Sequence, residues 1–496
     1  MTTTTPERPL LFVSLAIIII LSSASAILSF AALRTAHSEP ATNTVSLDGP
    51  SELGQVFPRN PTPALPTITT LPETPSANEQ TSSTPVVVPT TSPVPASTVP
   101  QPSAGEGPLV TGRDASSPDN SWTKPAVLET RADPAYELPI TRMTSAEGTR
   151  FNRNTYSRRQ AENADGSAFM TYHGDAEYRV YDTATGEQLA TTNVHPDGEP
   201  QWHPTNPDVI RHVTGPNAFV GSLTLLETTV STGATSVVAD LTTRVQVVFP
   251  TALYMIDRAE GSPSADGSRY AWIIYNDNED PVGIISYDLA TDTILGSVPV
   301  DPSVDFRLDW VSASPSGQFV MAGFWEGTVA WNADMTNERL IFEGTEHSDI
   351  AIGPTGNDTY IYVDFTASAN GGWIVAVDLV TGETRRYVDL YDNANTSIHF
   401  SGKAYDMPGW VVASTYNCKE PGAWSCEKVF ALNLADGTIV NLAHTYNCGS
   451  EYWTETHAVA NRDLSRVYFN SDAGSCSTDA EVYRIDVPLP LAAPGD

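Results

Sequence analysis

Histidine, tyrosine and arginine side chains in this 496-residue chain have the chemical character needed for acid–base work on an anionic ligand. A histidine accepts a proton near neutral pH, and a tyrosine hydroxyl donates one. A group of arginines neutralises negative charge on the ligand. The candidates are His203, His347, His399, His457 and Tyr405, together with Arg150, Arg153, Arg158 and Arg159 in the run RFNRNTYSRR.

Each candidate also has a structural interpretation. Buried histidines often hydrogen-bond neighbouring elements of a fold, and a run of arginines is often solvated surface. Catalysis requires that His399 and His457, the pair we rank first, converge on one funnel with cationic groups nearby. The elements that carry these side chains therefore decide between the two interpretations.

These elements are short strands in a repeated pattern. From about residue 130 onward, strand-like runs rich in β-branched and aromatic residues end in turn signals, which is typical of an all-β fold. The clearest unit is a strand, a turn such as Asp-x-x-Thr-Gly, and a second strand. Seven copies recur at intervals of about 45 to 60 residues: VYDTATGEQLA, LLETTVSTGATSVV, ISYDLATDTILG, VAWNADMTNERLIF, IVAVDLVTGETRRY, VFALNLADGTIVNL and EVYRIDVPL.

A repeat of this length with four strands in each copy is typical of a β-propeller blade. No apolar stripe of period 3.6 recurs, and this excludes helical solenoids. We therefore predict a seven-bladed β-propeller over residues 126–496, with six or eight blades as alternatives. The seventh copy ends after its third strand, so the segment at 135–145, AYELPITRMTS, is expected to close the ring.

The N-terminal part of the chain has a different composition. Residues 10–33 carry no charge and are long enough to cross a membrane, so residues 1–37 are expected to be an anchor. The motif ASA at 24–26 leaves open a cleaved signal peptide and secretion. Residues 38–125 are rich in Pro, Thr and Ser and are expected to form a disordered linker, either a passive stalk or a glycosylated tether. Whether residues 1–37 are an anchor or a cleaved signal peptide, the folded part is expected outside the cytoplasm, in the periplasm or at the cell surface.

Four cysteines lie within about the last 80 residues of the chain. No pair has the C-x-x-C spacing of a zinc ribbon or a redox dithiol, which disfavours metal binding by thiolates. An even number of cysteines in an exported protein predicts two disulfides. We favour Cys418 with Cys426 and Cys448 with Cys476, and a pairing of Cys418 with Cys448 stays open.

Charge limits the partners. A net charge of −33 excludes nucleic acid, whose phosphates need a basic surface. The oxygen-rich loops YNDNEDP at 275–281 and DLYDNAN at 389–395 offer calcium ligands, but neither has EF-hand spacing, and solvated acidic turns are the alternative. We expect no obligatory cofactor, with a divalent metal such as calcium or manganese as the alternative.

Upstream of most copies, a turn precedes an apolar strand, as in ADGSAFMTY, SADGSRYAWII, SPSGQFVMAG and GPTGNDTYIYVD. These signals resemble the WD40-like repeats of TolB-type propellers, whose hallmark is a Ser-Pro-Asp-Gly turn before an apolar strand. Two stretches, EPQWHPTNPDVI at 199–210 and ETHAVANRDLSRVYFNSD at 455–472, are similar to segments of propeller-fold polysaccharide lyases such as oligogalacturonate lyases. In that family, histidines on the innermost strands line a central funnel, bind a divalent metal and abstract a proton. The resemblance implies such positions for His203, His399 and His457. The doubled histidine of the family motif is here replaced by Glu455 and His457, which flank a threonine.

Two functions are expected. The first is a membrane-tethered, extracytoplasmic binding module for a glycan or a protein, which requires only the fold. The second is a lyase that cleaves an acidic, uronate-containing polysaccharide by β-elimination. Its catalytic residues would be His399, His457 and Tyr405, and its ligand-binding residues Arg150, Arg153, Arg158, Arg159 and His203.

Overall fold

The computed structural model describes residues 109–491, except 120, 147, 215–222, 259, 304–307, 345–346, 367, 391–395, 421, 449–451 and 477–478. The predicted anchor and most of the predicted linker lie outside the described residues. Among the described residues there is no helix with the length and apolar character to span a membrane.

The described residues form an all-β fold with one short α-helix. Two strands come first, β1 (Thr130–Ala132) and β2 (Pro139–Arg142). Three groups of four follow: β3 (Phe151–Asn154), β4 (Ala168–His173), β5 (Glu177–Asp182) and β6 (Gln188–Thr191); β7 (Gln201–Trp202), β8 (Val209–Val213), β9 (Thr224–Thr229) and β10 (Thr235–Asp240), then α1 (Thr242–Val248); β11 (Tyr254–Ile256), β12 (Arg269–Tyr275), β13 (Pro281–Asp288) and β14 (Thr293–Pro299).

Three further groups of four come next: β15 (Leu308–Ala313), β16 (Phe319–Phe324), β17 (Gly327–Asn332) and β18 (Arg339–Phe342); β19 (Ser348–Ile352), β20 (Asp358–Val363), β21 (Trp373–Asp378) and β22 (Thr384–Asp389); β23 (Ser397–Ser401), β24 (Trp410–Tyr416), β25 (Lys428–Asn433) and β26 (Ile439–His444). The chain ends with β27 (Val459–Ala460), β28 (Arg466–Ser471) and β29 (Ala480–Asp486). Five of the groups are separate antiparallel sheets of four strands, consistent with propeller blades, and we number the groups as blades 1 to 7.

Blade 7 takes its fourth strand from the N-terminal side of the fold, as the sequence predicts. Strand β2 pairs antiparallel with β29, and Ile140 lies opposite Ile485. Strand β1 adds to the outer edge of β2. A short parallel pairing of β29 with β3 joins this blade to blade 1 in one nine-stranded sheet.

The repeated turns owe their shape to one aspartate and one glycine. The Asp182 carboxylate accepts hydrogen bonds from the backbone N–H groups two and three residues further on. Gly186 then adopts a φ of 63°, which a residue with a Cβ seldom adopts. Asp378 and Gly382 repeat this arrangement in blade 5. The turn chemistry visible in the sequence therefore sets where each outer hairpin reverses.

Apolar cores lie between neighbouring blades. One core packs Val429 and Leu442 of blade 6 against Phe469 and Ile485 of blade 7. The first strands of these blades also contact one another, since β19 touches β23 and β23 touches β27. The loops at the ends of the first strands are thereby brought close together, although they are far apart in the sequence.

The described end of the predicted linker packs on blade 6. Thr111 forms a β-bridge with Val440 at the outer edge of the sheet. The Trp122 ring stacks on Tyr446 with ring centroids 4.1 Å apart. Contacts with the sheets therefore begin upstream of the predicted boundary at 126. Helix α1 is another feature that the sequence analysis did not predict.

Candidate functional site

Three histidines from blades 5, 6 and 7 meet at one point. His399 lies in β23, while His347 and His457 lie just before β19 and β27. The ring centroids of His399 and His457 are 4.3 Å apart, and those of His399 and His347 are 4.2 Å apart. The convergence of His399 with His457 that the sequence analysis required is therefore present, and their catalytic role stays a prediction.

A buried carboxylate links two of these histidines. Glu455 Oε2 lies 3.0 Å from His399 Nε2 and 3.5 Å from His457 Nε2. Burial alone would raise the pKa of the Glu455 carboxyl, but the hydrogen bond with His399 and the nearby His457 outweigh it and hold that pKa well below its usual range. Glu455 is therefore an anion at the centre of the group.

The two buried histidines are neutral at physiological pH. Burial lowers the pKa of His399 to about 4; the neighbouring His457 adds to this effect and Glu455 opposes it. Burial also lowers the pKa of His457 to about 4, against the opposing effect of Glu455. Their exposed fractions are 1% and 0%, so these rings lie below the surface of the site. His347 is half-buried and lies nearer to solvent.

Three tyrosines that the sequence analysis did not select surround the histidines. Tyr416 stacks on His399 with ring centroids 4.9 Å apart, and Tyr156 lies 4.9 Å from His457. The exposed Tyr452 ring lies 5.5 Å from the His457 ring and marks the solvent side of the group. Tyr156 belongs to the arginine-rich run, and this position was the one sequence signal for it.

Residues 155–160, which we call the plug, contact residues at or near the first strands of other blades. The Tyr156 hydroxyl donates a hydrogen bond to Glu260 Oε1 at 2.9 Å. Arg158 lies 3.0 Å from the second oxygen of Glu260 and donates to Ser348 Oγ at 2.6 Å. Arg159 lies 3.3 Å from Asp257 Oδ1. The plug therefore ties blade 1 to the regions of blades 3 and 5.

The arginine run divides between the interior and the surface. Arg153, Arg158 and Arg159 are buried, so the solvated-surface alternative is wrong for them, whereas Arg150 is exposed. Arg153 Nη1 lies 3.3 Å from His457 Nδ1, in the histidine group. Arg158 and Arg159 pair with carboxylates of the protein itself, and a ligand-binding role for the four arginines stays a prediction.

Tyr405 and His203 lie away from the histidine group, on the lining of a separate cavity. Tyr405 follows the end of β23, and its ring lies 5.0 Å from the Arg462 guanidinium. His203 Nδ1 accepts hydrogen bonds from the backbone N–H groups of the turn that follows β7. Gln160, at the far end of the plug from Tyr156, also lines this cavity. Tyr405 follows His399 closely in the sequence but lines a cavity that the three histidines do not line, and its catalytic role stays a prediction.

Two nitrogens and one carboxylate oxygen are arranged for a metal ion. His347, His399 and Glu455 offer ligand atoms that all lie within 4.8 Å of one another. Adjacent ligands of an octahedral ion with bonds of about 2.1 Å are about 3.0 Å apart, as His399 Nε2 and Glu455 Oε2 are. His399 Nε2 is the nitrogen of this ring that faces Glu455, and Nδ1 is buried without a hydrogen-bond partner. The residues fit a divalent transition metal.

Of the two predicted calcium loops, the one that the structure fully describes gives no group comparable to these three ligands. At 275–281, Asn276 Oδ1 accepts hydrogen bonds from the backbone of Asn278 and Asp280, so its oxygen shapes a turn. Most of the loop at 389–395 lies outside the described residues.

Both favoured disulfides are confirmed. Cys418 bonds Cys426 across the β24–β25 connection, and Cys448 bonds Cys476 in the β28–β29 connection of the next blade. The second bridge anchors the start of the loop that carries Glu455.

Comparisons with known proteins identify the fold. No family model matches the chain, and no curated protein matches it. A solved oligogalacturonate lyase in complex with manganese superposes with a TM-score of 0.51 at 15% identity, covering 77% of this chain and 98% of that one. An oligogalacturonate lyase from Vibrio parahaemolyticus gives a TM-score of 0.51 at 15% identity, covering 73% and 97%. The chain therefore has the propeller-like fold of oligogalacturonate lyases.

Proposed function

We propose that this protein is an extracytoplasmic binding module that recognises acidic saccharides at a divalent metal centre. The observation that carries the proposal is the convergence of His347, His399 and Glu455 from three blades. His399 lies in β23, while His347 and Glu455 lie in the segments before β19 and β27, so three separate parts of the chain place nitrogen and oxygen ligands together.

The residues have separate tasks in this proposal. His399 and Glu455 are buried and would hold the ion, and His347 would complete the group from the solvent side. When bound, a divalent ion would attract the carboxylate of a uronate and offset its charge. The exposed Tyr452 offers an aromatic face on which a sugar ring packs.

Binding is favoured over elimination because of where the acid–base groups lie. His399 and His457 are 1% and 0% exposed, so a saccharide does not touch either ring. Tyr405 lines another cavity. Elimination needs a base and an acid that both reach the substrate, and these three residues do not meet that requirement.

A lyase is the second candidate, and one observation favours it. His347 is half-buried, and its Nδ1 lies 3.5 Å from the Tyr156 hydroxyl. In a lyase His347 would act as the base instead of binding the metal. The fold shared with an oligogalacturonate lyase in complex with manganese supports the same candidate.

The architecture and location complete the proposal. The seven strand groups would form a closed seven-bladed ring, since blade 7 is completed by β2 and joined to blade 1. Residues 10–33 would anchor the chain in a membrane, and the Pro/Thr/Ser tract would space the ring from the surface. Fractionation of membranes from cells that express the full chain tests the anchor.

Calorimetric titration of the purified full chain with oligogalacturonate, in Mn²⁺ and in EDTA, tests the binding function. We expect the chain to bind oligogalacturonate in Mn²⁺ but not in EDTA, and to bind no neutral galactose oligomers of equal length. The ultraviolet absorbance of an unsaturated product is followed in parallel. If an unsaturated product forms and His347→Ala abolishes it, the lyase hypothesis replaces the binding-module hypothesis. If the chain binds no acidic saccharide in Mn²⁺, both hypotheses are wrong.

A further inference from the structure

The proton position on His457 is set by an arginine. Arg153 Nη1 lies 3.3 Å from His457 Nδ1, and both side chains are buried. A guanidinium only donates hydrogen bonds and does not lose its proton in a protein. The Nδ1 atom must therefore accept, and in a neutral imidazole the single proton is left on Nε2.

The protonated nitrogen faces the carboxylate. His457 Nε2 lies 3.5 Å from Glu455 Oε2, within ion-pair distance but not aligned for a hydrogen bond, and no other described group accepts a hydrogen bond from it. An N–H group has no lone pair for a metal ion. His399 differs, because its Nδ1 has no hydrogen-bond partner, so its proton is free to move there and leave Nε2 as a ligand atom.

We propose that His457 is not a metal ligand but an orienting donor to Glu455, and that Arg153 enforces this role. The ion is then held by His347, His399 and Glu455, with His457 and Arg153 behind the carboxylate. Carboxylates that bind metals are commonly held by such outer hydrogen bonds. This inference rests on the metal centre of the proposed function, and it predicts a division of labour among the three histidines.

Mn²⁺ titrations of purified full-chain variants separate ligands from orienting groups. His399→Gln and Glu455→Gln each remove a ligand and should weaken Mn²⁺ binding more than about 100-fold. His457→Gln keeps an N–H group near the carboxylate and should stay within about 3-fold of the unmodified chain, whereas His457→Leu should lose about 10-fold. A loss for His457→Gln as large as that for His399→Gln would overturn the proposal.

Arg153→Met provides the complementary variant. It keeps an apolar side chain but removes the donor, so Nδ1 becomes free to carry the proton and Nε2 gains a lone pair. Mn²⁺ binding should tighten by about 10-fold as His457 becomes a further ligand, and the double variant with His457→Gln should lose that gain. A gain that persists in the double variant would contradict the role given to Arg153.

Nitrogen-15 NMR of the histidine-labelled, metal-free full chain measures the proton position directly. The His457 signal, assigned by its absence in His457→Gln, should show protonated Nε2 and bare Nδ1. A protonated Nδ1 would overturn the inference. Mn²⁺ binding in this pattern without saccharide binding or turnover would leave the inference intact and remove the proposed function, while a chain that binds no Mn²⁺ would remove both.

Discussion

The imidazole rings of His399 and His457 lie 4.3 Å apart, although 57 positions separate them in the chain, and the Glu455 carboxylate lies within 3.5 Å of a nitrogen of each ring. Two neutral histidines and one anion in a buried setting are costly to assemble unless each polar atom gains a partner. A metal ion would supply that partner for the nitrogen and oxygen lone pairs.

Arg158 should be essential for the stability of the plug. Arg158→Met leaves the Glu260 carboxylate without its cation and should lower the free energy of unfolding by about 3 kcal/mol. Arg150→Met is the matched control from the same run; since Arg150 is exposed, its effect should stay within about 0.5 kcal/mol. Urea denaturation of both variants makes the comparison, and equal effects would show that the buried pair is not important.

Asp309 should make the protein less stable as pH rises. Burial, followed by the charge of Glu260, raises the pKa of Asp309 to about 7, against the opposing effects of Arg258 and Arg158. Between pH 4 and 7 the native state thus binds more protons than the unfolded chain, and the free energy of unfolding falls as pH increases.

Asp309→Asn should remove this dependence. At pH 8 the free energy of unfolding of the variant should be about 2 kcal/mol higher than that of the unmodified protein, allowing for partial solvent screening. At pH 4 the difference in the free energy of unfolding should be much smaller. Denaturant titrations at the two pH values measure the difference, with exposed Glu187→Gln as the control. A stability difference that does not change with pH would show that Asp309 titrates normally.

The two disulfides should contribute unequally to stability. Cys418 and Cys426 are 8 residues apart in the sequence, and Cys448 and Cys476 are 28 residues apart, so the second disulfide closes the longer loop. The chain-entropy model predicts that changing both cysteines to serine lowers the free energy of unfolding by about 2.5 kcal/mol for the first pair and by about 3.6 kcal/mol for the second. Thermal unfolding of the two double variants tests the order.

The longer bridge should also affect the site. It fixes the start of the loop that carries Glu455, so its removal should weaken Mn²⁺ binding about 10-fold, whereas removal of the Cys418–Cys426 bridge should not. Equal Mn²⁺ affinities of the two double variants would show that the loop does not depend on the bridge.

The repeats, the closing strand and both disulfides could be predicted because they depend on local chemistry. The aspartate and glycine of the repeated turn, such as Asp182 and Gly186, specify a hairpin turn in each copy that contains them. The truncated last copy implies a missing strand. Helix α1 was not predicted, since its seven residues carry no clear periodic signal. The contacts of Trp122 were missed because a Pro-rich composition hides one aromatic anchor.

The site could be predicted only in part. His399 and His457 hold similar positions in consecutive repeats, so their convergence follows from the architecture. The position of Tyr405 could not be predicted, because sequence proximity to His399 does not reveal that Tyr405 lies past the end of β23. Glu455 was treated only as a replaced histidine, although a carboxylate is itself a metal ligand. The plug was missed because no strand or turn signal places residues 155–160 between blades.

Titration of the purified full chain with Mn²⁺, followed by the electron paramagnetic resonance of the free ion, tests the metal centre most directly. One Mn²⁺ per chain should bind at pH 7, and Glu455→Gln should weaken the binding more than about 100-fold, because the anionic ligand of the group is lost. Absence of saturable binding, or unchanged binding by Glu455→Gln, would contradict the assignment of His347, His399 and Glu455 as a metal centre.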